Sequence, residues 1–190
     1  MKTVWILNHY AMTPEQGGGT RHYNFALELV QRGYKVYVFA SEHIHNTDCI
    51  VLNNKEKGGE TIIDGIHWVW IPTRHYTKNG IDRVLSMVDY YLFMVKKYRL
   101  YNRADVIIGS SVHPFACMAA IKISKKMNSK CISEIRDLWP QTLIDMGKLS
   151  KGNLVSIILY KLEKHIPHTL FEQALVRNYN ASYLLLVLES

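Results

Sequence analysis

The chain has 190 residues, 48% hydrophobic and 21% charged, with five prolines and no low-complexity tract. That profile excludes a disordered chain and fits one domain able to bury most of its apolar surface in a single core. The net charge of +7, with a pI near 9.3, attracts anionic partners. No RNP-like aromatic motif, zinc finger or clear helix-turn-helix accompanies it, so nucleic acid is not the expected one.

The segment Met1–Asn8 is apolar but short, and the chain is polar by His9. This is too brief for a signal-peptide core, and no stretch approaches about 18 uncharged apolar residues. A cytosolic location is therefore expected. The three cysteines, Cys49, Cys117 and Cys131, form no CxxC pair and read as reduced thiols.

In chain order, Lys2 to Asn8 is a short apolar run of strand type. An irregular stretch leads to Gly17-Gly18-Gly19, and Thr20 to Arg32 has helical spacing ended by Gly33. Lys35 to Ser41 is a second strand. Strand, glycine loop, helix and strand open a parallel doubly wound sheet. Residues 42 to 60 read as an exposed excursion. Thr61–Ile63 and Ile66–Ile71 flank Asp64-Gly65, a dipeptide suited to a hairpin turn.

Ile81 to Tyr101 is a long predicted helix, followed by a strand at Asp105–Gly109, a helix at Pro114–Met127 and a strand at Lys130–Ile135. Leu154–His165 is predicted helical and Ser182–Leu188 a last strand. The spacing predicts one Rossmann-like α/β domain over residues 1–190, with about six parallel strands.

Ligands of open α/β sheets bind beyond the carboxyl ends of the strands, and three such ends carry unusual residues. At Gly17-Gly18-Gly19-Thr20-Arg21-His22, bare backbone amides and a helix N-terminus suit a phosphate. Arg21 and His22 lie in the first helical turn, where the helix dipole disfavours cations, so an anion is expected beside them. A loop with surface charges is the alternative. At Ser110-Ser111-Val112-His113-Pro114, a histidine at a helix start would be kept neutral by the dipole and could bond a sugar hydroxyl or phosphate. The alternative role for His113 is helix capping.

At Glu134-Ile135-Arg136-Asp137, strand alternation places Glu134 and Arg136 on one side and Asp137 on the other. Buried charges there need mutual pairing or a ligand. Carboxylates at this corner could hold or deprotonate a sugar hydroxyl, and an Arg–Asp pair is the structural alternative. His43, His45, Asp48 and Cys49 read as solvated loop, and no D-x-D pair is present, so no metal site is expected.

Together the segments Val4–Tyr10, Gly17–Tyr23, Ile108–Phe115 and Glu134–Leu149 ("EIRDLWPQTLIDMGKL") resemble family 4 glycosyltransferases of the bacterial capsule and O-antigen type. The likeness covers residues 1 to 165 and is specific at the last two segments. It implies the N-terminal, acceptor-side half of a GT-B fold. It also implies retaining transfer of a sugar from a nucleotide-sugar donor to a lipid-diphosphate-linked acceptor in surface polysaccharide synthesis, without metal or other cofactor.

By the same resemblance, Gly17, Gly18, Gly19, Thr20, Arg21 and His22 would lie against the reacting phosphates. His113, with Ser111 beside it, would contact the transferred sugar or acceptor phosphate. Asp137 with Glu134 and Arg136 would line the acceptor side, and Asp137 and His113 are the catalytic candidates. The family continues into a second, donor-binding domain that this sequence lacks, and residues 166–181 depart from the family spacing. The chain alone is therefore expected to be inactive. A non-catalytic binding subunit that needs a partner chain is an alternative. A GT-B sugar epimerase is a weaker one, opposed by "EIRDLWPQT".

Arg83 to Arg103 is apolar through Val95 and then basic at Lys96, Lys97, Arg99 and Arg103. It reads as a core helix with a solvated end. Alternatively, it is a surface that lies on anionic lipid at the inner face of the cytoplasmic membrane.

Overall fold

In the computed structural model of the protein, residues 1–44, 50, 51, 59–76, 81–135, 157, 160, 161 and 184–188 are described. The elements are β1 (Thr3–Leu7), α1 (Arg21–Gln31), β2 (Lys35–Ser41), β3 (Gly59–Ile63), β4 (Ile66–Ile71), α2 (Ile81–Lys97), β5 (Val106–Ser111), α3 (Pro114–Met127), β6 (Lys130–Ile135) and β7 (Leu184–Leu188). Short 3₁₀ turns occupy Pro14–Gln16 and Tyr98–Leu100. The second of these tightens the end of α2, so the α-helix stops at Lys97, short of the expected Tyr101.

The strands form one sheet in the order β3-β4-β2-β1-β5-β6-β7. The five central strands run parallel, while β3 and β7 are antiparallel additions at the two edges. The expectation of about six parallel strands is corrected accordingly. At β3 the cause is local. Asp64 (φ 51°) and Gly65 (φ 78°) both adopt positive φ, the backbone of a two-residue turn that folds its flanking strands back on each other. At β7 an apolar run marks burial but carries no strand direction.

Alternation along the strands sorts the core onto two faces. Trp5, Leu7, Tyr37, Phe39 and Ile107 pack with Tyr90 and Met94 of α2 and with Ala116, Ala119, Ala120 and Ile123 of α3. Val4, Ile6, Val36, Val38 and Ile108 pack on the other face, with Ala26 of α1. Helices therefore cover both faces, as doubly wound sheets require. A Cβ on Gly109 would lie 2.7 Å from Ala120 Cβ and 2.9 Å from Cys117 Cα, so a bare backbone here is what lets α3 seat against β5.

Strand β1 lies between β2 and β5. The chain leaves it toward β2 through α1 and reaches its other side through α2. The order of strands reverses there, and the crevice beyond the carboxyl ends of β1 and β5 is the topological switch point. Among the described residues, no helix is long and apolar enough to cross a membrane.

Candidate functional site

Two polar residues follow the apolar run of β1, and alternation sends their side chains to opposite faces of the sheet. Asn8 and His9 are each 2% exposed. Each anchors a separate hydrogen-bond network at the switch point.

On the α1 face, Asn8 Nδ2 donates to His22 Nδ1 at 3.0 Å, and Asn8 Oδ1 accepts the Tyr10 backbone N–H at 3.0 Å. Asn8 Nδ2 is a donor, so His22 Nδ1 is the acceptor and the ring proton sits on Nε2. From there it is donated to Glu134 Oε2 at 3.1 Å. The other carboxylate oxygen pairs with Arg21.

Burial alone would push the Glu134 carboxyl up. The hydrogen bond from His22 and the charge of Arg21 outweigh it and hold the group at about 2. The anion expected beside Arg21 and His22 is thus a residue of the protein itself. The network ties the end of β1, the first turn of α1 and the end of β6 into one unit. A small cavity of about 240 Å³ opens beside it, lined by Arg21, His22, Phe25, Ile108, Ile132 and Glu134.

The glycine loop enters this unit from the Pro14–Gln16 turn, which is closed by the Thr13 N–H donating to Gln16 Oε1 at 2.9 Å. Gly17 ends the turn with φ 72°, a left-handed conformation that favours glycine. Gly18 lies against the Met12 side chain, and Gly17 and Gly19 face open space. Thr20 then leads into α1, its carbonyl accepting the Asn24 N–H at 2.8 Å.

On the α2–α3 face, His9 Nδ1 and His113 Nε2 are 2.8 Å apart, and His9 Nε2 lies 3.4 Å from Ser86 Oγ. The His9 ring is stacked between Tyr10 and Tyr90, at centroid distances of 4.5 and 5.0 Å. Arg83 reaches over the Tyr10 ring and donates from Nε to its hydroxyl at 3.2 Å. His113 is the N-cap of α3 but makes no side-chain capping bond. Its ring is 1% exposed.

The His113 imidazole is held neutral, its pKa lowered to about 3 by burial first and by the nearby Arg83 charge second. That assigns to burial the neutrality which the sequence attributes to the helix dipole. Contact between this ring and a ligand requires the side chains covering it to move. Ser111 is buried on the same face, beside the Cys117 thiol.

The predicted site residues thus divide in two. Gly17, Gly18, Gly19, Thr20, Arg21, His22 and Glu134 gather at the α1 side, and Ser111 and His113 lie on the α2–α3 side. Arg136 and Asp137 lie outside the described residues. The sequence reading missed Asn8, His9, Tyr10, Arg83 and Ser86. A polar pair closing an apolar strand was the available signal for the first two. Arg83 and Ser86 sit in a helix whose apolar periodicity hides them.

His43 departs from the solvated loop expected of it. It is 4% exposed, its Nε2 lies 3.0 Å from the Tyr76 carbonyl, and its ring packs on His75. Backbone pairing carries on past β2, from the Glu42 N–H to the Ile71 carbonyl and from His43 to Ile50, which draws His43 inward. His45, Asp48 and Cys49 lie outside the described residues.

No family model matches the chain, and no curated protein shows a significant match. Among solved structures, it is similar to sucrose-phosphate synthase from Thermosynechococcus elongatus, with a TM-score of 0.53 and 8% identity over 86% of this chain. The chain spans 40% of that structure's length. At this identity the likeness bears on the fold alone, a mixed α/β, Rossmann-like domain.

Proposed function

We propose that the chain is the acceptor-side domain of a retaining glycosyltransferase of family 4. The complete enzyme moves a sugar from a nucleotide-sugar to a lipid-diphosphate-linked acceptor in surface polysaccharide synthesis. The observation that carries this reading is the convergence, at one switch point, of the glycine loop, the Arg21–Glu134–His22 unit and the His9–His113 pair.

In this reading Glu134 holds Arg21 beside the glycine loop, with 45% of the arginine side chain exposed. The guanidinium and the loop amides face the acceptor diphosphate. His113 serves the transferred sugar, and Arg136 and Asp137 line the acceptor side. A second domain, in the same polypeptide or in a partner chain, supplies the donor site.

The test is titration of a short-chain prenyl-diphosphate sugar into the chain. Saturable binding, weakened at least about tenfold by Arg21→Ala, is expected from loss of a charge-assisted phosphate contact. Failure to bind, or binding indifferent to Arg21→Ala, overturns the reading. Residues 1–190 by themselves are expected to turn over no nucleotide-sugar, and sustained transfer by this domain alone would refute that division of labour.

Peripheral membrane attachment through α2 belongs to the same proposal. The helix turns Ser86 and Tyr90 inward toward the His pair, while Val84 is 39% and Leu92 41% exposed. Lys96 and Lys97 follow at its basic end. A helix lying flat on anionic lipid would keep the switch point at the surface from which a lipid-linked acceptor arrives. Salt-sensitive co-sedimentation with anionic vesicles is the expected result, and its absence removes the membrane contact.

A further inference from the structure

We infer that His9 is a positioning residue that fixes the proton of His113 on Nε2 and leaves His113 Nδ1 as a bare hydrogen-bond acceptor. Between His9 Nδ1 and His113 Nε2, at 2.8 Å, one nitrogen donates and the other accepts. Two arrangements satisfy this bond.

In the first, His113 Nε2–H donates to His9 Nδ1. His9 then carries its proton on Nε2 and directs it to Ser86 Oγ. In the second, every direction is reversed, and His113 carries its proton on Nδ1. The arrangements differ at one atom. His113 Nδ1 is buried and has no hydrogen-bond partner among the described residues.

Two considerations favour the first arrangement. A buried donor left without an acceptor is rarer in folded proteins than an under-used acceptor. Nδ1 is also the ring nitrogen nearest the backbone, and His113 is the N-cap of α3. The partial positive charge of the helix start stabilises a lone pair at that place and opposes an N–H. Stacking between Tyr10 and Tyr90 holds the His9 ring edge-on to His113, at an interplanar angle of 81°. The acceptor atom is therefore presented by a ring that has little freedom to turn. A histidine's tautomer is set by the bond its other nitrogen makes, and here His9 makes it.

The consequence is chemical selectivity. Once uncovered, a bare Nδ1 accepts the hydrogen of a sugar hydroxyl and gives nothing to a phosphate oxygen, which is itself only an acceptor. This consequence rests on the glycosyltransferase reading, whereas the tautomer does not. The assigned tautomer found in a chain that binds no acceptor sugar would sink that reading and leave this inference standing.

The test is two-bond ¹H–¹⁵N imidazole spectroscopy on the ¹⁵N-labelled chain at neutral pH. His113 is expected to show a protonated Nε2 and an unprotonated Nδ1. His9→Phe keeps a ring in the stack but removes the acceptor, and should turn His113 into a mixture of tautomers. His9→Asn places an amide oxygen where Nδ1 was, and should restore the single form. A protonated Nδ1 in the wild-type chain, or a His113 spectrum unchanged by His9→Phe, overturns the inference. If the Phe variant does not fold, the wild-type and Asn spectra decide.

Discussion

Replacing Glu134 with glutamine probes the unit that joins α1 to the end of β6. The carboxyl is held at about 2 against an ordinary 4.5, which corresponds to about 3 kcal/mol of preference for the folded state when ionised. Part of that preference comes from Arg21, whose side chain is 45% exposed. Solvent screening reduces the net contribution to roughly 2 kcal/mol. A depressed folded-state value means that this stability is complete above pH 4.5 and is lost as the pH falls toward about 2.

Urea titrations of both proteins across that fall in pH provide the assay. At neutral pH Glu134→Gln should be less stable by about 2 kcal/mol, or about 4–8 °C in melting temperature for a chain of this size. The gap should close as the wild-type carboxylate becomes protonated. Equal stability at neutral pH, or a gap that stays constant through acidification, would refute the role given to this carboxylate.

Gly109→Ala places a methyl group 2.7 Å from Ala120 Cβ and should cost about 1–3 kcal/mol by overpacking, measured by thermal unfolding. Tyr90→Phe removes the hydroxyl that donates to the Phe39 carbonyl at 2.8 Å. It should cost about 1–2 kcal/mol in urea titrations, because the carbonyl loses a buried donor. The Cys117 thiol is fully buried, and burial pushes its pKa well up. A thiol-specific reagent should leave it unmodified in the native chain and label it only on unfolding, and rapid native labelling would contradict its placement between α3 and β5.

How much of this was legible beforehand depends on the range of the interaction involved. The helix Pro114–Met127 and the strands Lys35–Ser41 and Lys130–Ile135 fall where the sequence places them, because their signals are local: a proline at a helix start, and apolar runs bounded by turns. The hairpin at Asp64-Gly65 was readable for the same reason. Strand direction at β7 was not, since pairing is decided by what lies alongside.

The candidate site shows the same division. Sequence alone identified Gly17–His22, Ser111, His113 and Glu134 as unusual for their positions, and it implied that the cations of the first α1 turn need an anion. Only the tertiary structure decided that Glu134, 112 residues from His22 in the chain, is that anion. It likewise decided that His113 meets His9 across 104 residues and that the two networks lie on opposite faces of β1. The physical reason is that composition and spacing constrain what a residue requires, such as a charge paired or a proton placed. The partner that meets the requirement is chosen by the order in which the strands assemble.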